Sequence, residues 1–270
     1  MNSTDRRNLE GLLETARSAA TAAGDSIMPI YRCGEAKVIN KGDGSPLTEA
    51  DMQAHESIYE ILRQTGLPII SEELTVEFEE RREWQRFWLV DPLDGTKDFI
   101  ARNDEFTINI ALIDNGVPVV GVVSAPALGQ TWFASNGMGA WQTDADKCSR
   151  ISALAPWPKE IRMFTSRFHD VPQSIEFGHL NSVKQFVPSG ASTKLARIAA
   201  SEAEFYPRFA GTSEWDIAAG HAILNEAGGF LSSLDGIAPK YNKPSFRNTF
   251  FIAWRPPLLW SDVRIPSNLS

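Results

Sequence analysis

Apolar residues recur at helical spacing through the first stretch of the chain, at Leu9, Leu12, Leu13, Ala16, Ala20, Ala23, Ile27 and Ile30. That period places them on one face and predicts a long amphipathic helix, interrupted at Gly34. Lys41-Gly42-Asp43-Gly44-Ser45-Pro46 is turn chemistry, and Thr48-Glu49-Ala50-Asp51 has the form of a capping box opening a second helix through about Gln64. Asp51 is then in the first turn of a helix. The run Leu67-Pro68-Ile69-Ile70 predicts a strand ending in Ser71-Glu72-Glu73, and Phe87-Trp88-Leu89-Val90 another ending in Asp91. Two strands thus deliver acids at their C-terminal ends.

Beyond them, Phe106 to Ile113 and Val117 to Val123 are β-rich and separated by Asp114-Asn115-Gly116 in the manner of a hairpin turn. A further strand around Thr131 to Ala134 leads to Asn136-Gly137. The first half reads as two helices on a meandering, largely antiparallel sheet. From about Ala153 prolines punctuate the chain. A strand is expected near Ile161 to Thr165, a helix near Thr193 to Ser201, a strand at Glu204 to Tyr206, and a helix from Asp216 to Ala227 closed by Gly228-Gly229. We therefore expect an α+β domain over residues 1–152 and a second, α/β domain over 153–270. The proline-rich tail beyond Arg255 is expected to be loosely held.

Composition removes several function classes. A net charge of −8 argues against a broad basic surface for nucleic acid or anionic membrane. No run approaches the roughly 20 apolar residues of a membrane span, and the N-terminus lacks the apolar core of a signal peptide. The cytoplasm is the default compartment, with peripheral contact at the inner face of the cell membrane left open. Cys33 and Cys148 have no metal-binding or disulfide spacing. The four histidines share no ligand spacing either, and His221, inside an apolar helix, reads as a core residue.

The chemistry concentrates in Asp91-Pro92-Leu93-Asp94-Gly95-Thr96. Proline and glycine fix an unusual backbone path there, so the two carboxylates can face one point, with the Leu93 carbonyl between them. Such a point suits a hard cation such as magnesium, which takes oxygen ligands; a solvated surface turn is the alternative reading of the same residues.

The longer block Trp88-Leu89-Val90-Asp91-Pro92-Leu93-Asp94-Gly95-Thr96-Lys97-Asp98-Phe99 resembles the signature of the inositol-monophosphatase superfamily, and Trp215-Asp216-Ile217-Ala218-Ala219-Gly220 resembles its second signature. The likeness continues in Ser45-Pro46-Leu47-Thr48-Glu49-Ala50-Asp51, in Ile70-Ser71-Glu72-Glu73, in the run from Glu105 to Asp114, and in Tyr206-Pro207-Arg208-Phe209. Within the superfamily it points to the bacterial CysQ branch, the 3'(2'),5'-bisphosphate nucleotidases.

The resemblance implies a layered α/β/α/β/α sandwich, two or three Mg2+ ions, and sensitivity to lithium. It implies Glu72, Asp91, Asp94, Asp216 and the Leu93 carbonyl as metal ligands. Asp51, Glu72 and Thr96 are then the residues that hold and deprotonate the attacking water. Gly95 and Thr96 open a helix whose amides can meet phosphate, and Lys97 can engage a second phosphate. Ser189-Gly190-Ala191-Ser192-Thr193-Lys194 occupies the position of a CysQ substrate loop but departs from its middle residues; Ser189, Ser192, Lys194 and Asp216 are the expected contacts. The expected substrate is 3'-phosphoadenosine 5'-phosphate, a small nucleotide bisphosphate, cleaved to AMP. An inositol or other sugar phosphatase stands as the alternative, and a non-catalytic regulatory binder on the same fold stands behind it. Oligomeric state is not legible.

Overall fold

A computed structural model describes residues 3–34, 38–40, 46–167 and 172–269. The amphipathic pattern at the N-terminus forms α1 (Ser3–Cys33), with Leu9, Leu13, Ala16, Ala20, Ala23 and Ile27 all buried on one face. The turn read at Lys41 to Ser45 lies outside the described residues, between the short paired strands β1 (Val38–Asn40) and β2 (Pro46–Thr48). Helix α2 (Glu49–Leu62) starts at the expected capping box, in which Thr48 and Asp51 satisfy each other's backbone amides.

After α2 the chain lays down β3 (Ile69–Ser71), a single helical turn α3 (Phe78–Arg81), β4 (Arg86–Asp94) and the short α4 (Thr96–Ala101). A meander follows: β5 (Thr107–Asp114), β6 (Val117–Ala125), β7 (Gln130–Ser135), β8 (Gly139–Asp144) and β9 (Lys147–Ile151). These strands make a seven-stranded sheet in the order β3-β4-β5-β6-β7-β8-β9, antiparallel except for β3 against β4. The β5–β6 hairpin turns on Asn115 and Gly116, both at positive φ, as the Asp-Asn-Gly reading expects.

The second half supplies β10 (Ile161–Ser166), α5 (Pro172–Leu180), β11 (Val183–Ser189), α6 (Thr193–Ala199), β12 (Phe205–Arg208), α7 (Glu214–Glu226), β13 (Phe230–Ser233) and β14 (Phe251–Trp254). Its five strands run in the order β11-β10-β12-β14-β13, with β11, β10 and β12 mutually parallel.

Strand alternation sorts side chains onto the two faces of each sheet. On the large sheet, Trp88, Val90, Ile110, Leu112 and Val122 pack against α1 and α2. Their neighbours Phe87, Leu89, Ala111, Ile113 and Val123 point the other way, into a core shared with Leu195 and Ile198 of α6 and Ile217 and Ile223 of α7. The same core takes Phe164, Tyr206 and Phe251 from the small sheet, whose opposite face (Met163, Phe205, Ile252, Trp254) packs on Phe177 of α5. Helix, sheet, helix, sheet, helix is thus the layer order, as the resemblance implied.

Two corrections belong here. The tail beyond Arg255 is not loose: Leu258, Trp260, Val263, Ile265 and Leu269 pack on the third core, and the Trp254 indole donates to the Leu258 carbonyl at 3.0 Å. No strand was expected at 251–254, yet β14 lies between β12 and β13, with Phe251 and Trp254 buried in the core.

Close approach of α7 to the large sheet depends on Gly121 of β6. A Cβ there would sit 2.3 Å from the Ala219 carbonyl oxygen and 2.8 Å from the Ala222 Cβ, so only glycine lets the helix lie this near. That helix carries Asp216 to the cavity described next.

Candidate active site

Parallel pairing of β3 with β4 puts Ser71 beside Val90, and the Glu72 amide donates to the Val90 carbonyl at 3.1 Å. Glu72 therefore leaves its strand next to Asp91. Asp91 and Asp94 are separated by an odd number of positions, which in a regular strand sends side chains to opposite faces. A bulge in β4 changes this: Asp91 faces Asn109 and Asp94 faces Thr107, a step of three positions on β4 against two on β5. Both acids consequently reach the face covered by α6 and α7. Gly95 follows at φ 85°, a left-handed conformation that closes the bend, and α4 begins at Thr96.

Asp216 comes from the opposite side. It is the third residue of α7, and its Oδ2 accepts from the amide of the N-cap Ser213 at 2.7 Å. Carboxylate oxygens of Glu72, Asp91 and Asp216 all lie within 4.8 Å of one another. Asp94 joins them through Ser192, whose hydroxyl contacts the Asp94 carboxylate, stands 2.6 Å from the Asp216 carbonyl, and accepts from the Asn109 amide at 3.1 Å. Asp51 is buried behind this group; it holds the Thr48 amide at 2.7 Å and takes the Thr96 hydroxyl at 3.3 Å. The Leu93 side chain is packed in the core shared with α1 and α2.

Crowding like charges in a dry place has a cost. Burial, then the neighbouring Glu72, Asp94, Asp216 and Asp51, push the Asp91 carboxyl well above the usual carboxylate range. Burial and then Asp94 push Asp216 up to about 8, against the lowering bond from Ser213. Opposite the two β4 acids, Thr107 Oγ1 and Asn109 Oδ1 are buried without a hydrogen-bond partner. An all-oxygen donor set under mutual repulsion fits a hard divalent cation, which supplies the charge that the acids lack.

A cavity of about 420 Å3 opens from the acids. Glu72, Asp94, Asp216 and Thr96 line one side; Ser166, Arg167 and Arg208 line another. Gly95, Lys97, Ser192 and Lys194 also line it, Lys97 being exposed at the rim. The structure does not bring Ser189 to the cavity: its hydroxyl is turned to Thr193 at 3.0 Å and takes the Arg197 guanidinium at 3.2 Å. Lys194 is buried, donates to the carbonyls of Ser189 at 3.1 Å and Ala191 at 2.5 Å, and is lowered to about 8, chiefly by burial.

Sequence reasoning assigned no role to Arg208, Arg167, Asp98 or Ser166, all in the lining. Arg208 carried a signal, since Tyr206-Pro207-Arg208-Phe209 was among the matching runs. His221 is a satisfied core residue as expected, with Nδ1 2.9 Å from the Tyr241 hydroxyl.

Below the cavity a buried network fixes the start of α7. Glu214, fully buried, accepts from the amides of Asn242 at 2.8 Å and Lys243 at 3.0 Å and from the Lys243 ammonium at 2.6 Å. Arg81, only nine residues beyond Glu72, donates to Asn242 Oδ1 at 2.6 Å and to the Lys243 carbonyl at 2.8 Å. The segment bearing Glu72 and the helix bearing Asp216 are thereby tied to one strap, residues 241–248.

Five alternating layers, with carboxylates from the end of β3, from β4 and from α7 meeting beside a partly basic cavity, define a divalent-cation-dependent hydrolase of phosphate esters. The Inositol monophosphatase family matches residues 8–252, and the chain belongs to it. A relative from Salmonella typhimurium, 3'(2'),5'-bisphosphate nucleotidase CysQ, is 40% identical over 249 residues, covering 89% of this chain and 100% of its own. The protein of the same name from Escherichia coli K12 is 39% identical, covering 89% and 98%. Among solved structures, CysQ from Bacteroides thetaiotaomicron, described as a bacterial member of the inositol monophosphatase family, superposes with a TM-score of 0.81 at 38% identity, covering 91% of this chain and 97% of that one. The suhB protein of Bartonella henselae gives 0.74 at 26% identity, covering 91% and 94%. Among the described residues no helix is long and apolar enough to cross a membrane.

Proposed function

We propose that this protein hydrolyses the 3'-phosphate of 3'-phosphoadenosine 5'-phosphate. Water adds to the phosphorus, the bond from phosphorus to the ribose 3'-oxygen breaks, and AMP and inorganic phosphate leave. What supports the reading most is the convergence of Glu72, Asp91 and Asp216 on one point, with Asp94 linked through Ser192, in a chain about 40% identical to bacterial 3'(2'),5'-bisphosphate nucleotidases.

Glu72, Asp91, Asp94, Asp216 and the Leu93 carbonyl would hold Mg2+, two or three ions in all. When bound, the ions offset the charge of the phosphate dianion and of the departing oxygen. The remaining work belongs to the chain. Thr96, donating to Asp51 at 3.3 Å, sets the position of the attacking water, and Asp51 together with Glu72 accepts its proton. The Gly95 and Thr96 amides, in the opening turn of α4, face phosphate oxygens. Ser192 keeps Asp94 in place while lining the cavity. Lys97 at the rim and Lys194 in the substrate loop offer positive charge, while Ser189, off the cavity, braces that loop through Thr193. The division into residues 1–152 and 153–270 has the same sense: the first part carries most of the acids, the second brings Asp216 and the substrate loop.

Catalytic efficiency on 3'-phosphoadenosine 5'-phosphate, inositol 1-phosphate and fructose 1,6-bisphosphate at one magnesium concentration tests the assignment. The nucleotide is expected to lead clearly; a preference for inositol 1-phosphate contradicts the substrate. Asp94→Asn should cut turnover of the nucleotide by about a hundredfold or more with the circular dichroism spectrum unchanged.

A further inference from the structure

The acids of the site stand on separate pieces of chain: Glu72 just after β3, Asp91 and Asp94 on β4, Asp216 on α7. Backbone pairing of β3 with β4 fixes Glu72 against the β4 acids. Asp216 arrives on a helix that packs on the large sheet through apolar side chains. Its distance from Glu72 is set by directional bonds elsewhere, through the strap at 241–248.

On the Glu72 side, Glu72 and Glu73 form the corner of a tight turn in which Ser71 and Leu74 exchange amide bonds at 3.2 and 3.1 Å. Arg81 closes the loop behind that turn. Its Nε donates to the Val76 carbonyl at 3.0 Å, Nη1 to Asn242 Oδ1 at 2.6 Å and Nη2 to the Lys243 carbonyl at 2.8 Å. Asn242 returns a bond from Nδ2 to the Arg81 carbonyl at 2.8 Å.

On the Asp216 side the strap runs antiparallel to the residues that open α7. The Glu214 amide donates to the Phe246 carbonyl at 2.8 Å, and the Asn248 amide to the Thr212 carbonyl at 2.9 Å. Asn248 Nδ2 holds the carbonyl of Ser213 at 2.6 Å, and Ser213 is the N-cap whose amide meets the Asp216 carboxylate. The Glu214 carboxylate clamps the Asn242 and Lys243 amides from the other side. Phe246 is sandwiched in the same place, its ring centroid 3.9 Å from the Arg81 guanidinium and 5.0 Å from that of Trp215.

Arg81 and Glu214 are both buried, which is costly for charged groups, and apolar side chains of similar volume would hold the fold at least as well. What such groups add is fixed direction. We infer that Arg81, Asn242 and Glu214 are positioning residues that hold the Glu72 turn and the Asp216 cap at the separation a small cation requires, and so set the preference of the site for magnesium over larger divalent ions. The inference rests on the divalent-cation reading above. Magnesium demands near-octahedral oxygens at about 2.0–2.1 Å, whereas calcium accepts flexible arrangements at about 2.3–2.6 Å, so a loosened frame forfeits the smaller ion first.

Calorimetric titration of metal-free protein with magnesium, and separately with calcium, tests this in wild type, Asn242→Gly and Arg81→Lys. The first variant removes the side-chain ties and tolerates the φ of 71° at that position. The second keeps the charge and loses the planar fork. Glu204→Gln is the comparison, since it breaks a buried network with Arg162 and Arg255 at the end of β12 away from the cavity. In both strap variants magnesium binding is expected to weaken about tenfold and calcium binding by less than about threefold. Glu204→Gln should keep the wild-type ratio of the two affinities whatever stability it loses. A ratio unchanged in both strap variants, or lowered equally in Glu204→Gln, overturns the assignment. Wild-type protein that takes up neither ion overturns the cation reading instead.

Discussion

At the residue scale the centre is a balance between repulsion and binding. Burial and neighbouring acids raise Asp91 above the carboxylate range and carry Asp216 from 3.8 to about 8. Between those values the folded chain without cations keeps protons that the unfolded chain has released, so its stability declines as pH rises through the window. Thermal unfolding of metal-free protein should therefore show a midpoint that drops by several degrees from pH 5 to pH 8 and is restored by magnesium; a midpoint indifferent to both would contradict the repulsion. These acids were legible because their residue strings are distinctive. Arg208 lay in a matching run, but nothing local in Tyr206-Pro207-Arg208 says that its guanidinium finds so few acceptors in the fold.

At the element scale, spacing is set by features that periodicity reports unevenly. The bulge in β4 is what turns Asp91 and Asp94 to one face, and the Pro-Leu-Asp-Gly run hinted at it. The seat of α7 on the large sheet depends instead on Gly121, which no local pattern marks as special. Gly121→Ala would drive a methyl into helix backbone, so it is expected to cost roughly 1–3 kcal/mol and to lower activity by moving Asp216. Denaturant unfolding and turnover of the same variant check both; full stability with full activity would show that the helix tolerates a shift. Long apolar runs made β5, β6 and α7 readable. Strand β9 was missed because its residues are mostly exposed and give no alternation, and β14 because four consecutive buried residues resemble generic packing.

At the scale of the whole molecule, an acidic protein of net charge −8 is matched to an anionic substrate. The layered fold resolves the conflict by separating functions: the large sheet and α7 gather carboxylates, and the small sheet ends in basic side chains facing the same cavity. Arg81, Glu214 and the strap at 241–248 lock the segment bearing Glu72 to the helix bearing Asp216, a tie between distant segments that sequence patterning has no means to register. The central claim is that the gathered carboxylates exist to bind divalent cations. Calorimetric titration of metal-free protein with magnesium, in wild type and Asp91→Asn, tests it most directly. The account predicts two or three equivalents bound by wild type and binding weakened at least about tenfold in the variant; equal uptake by both proteins, or none by wild type, would contradict it.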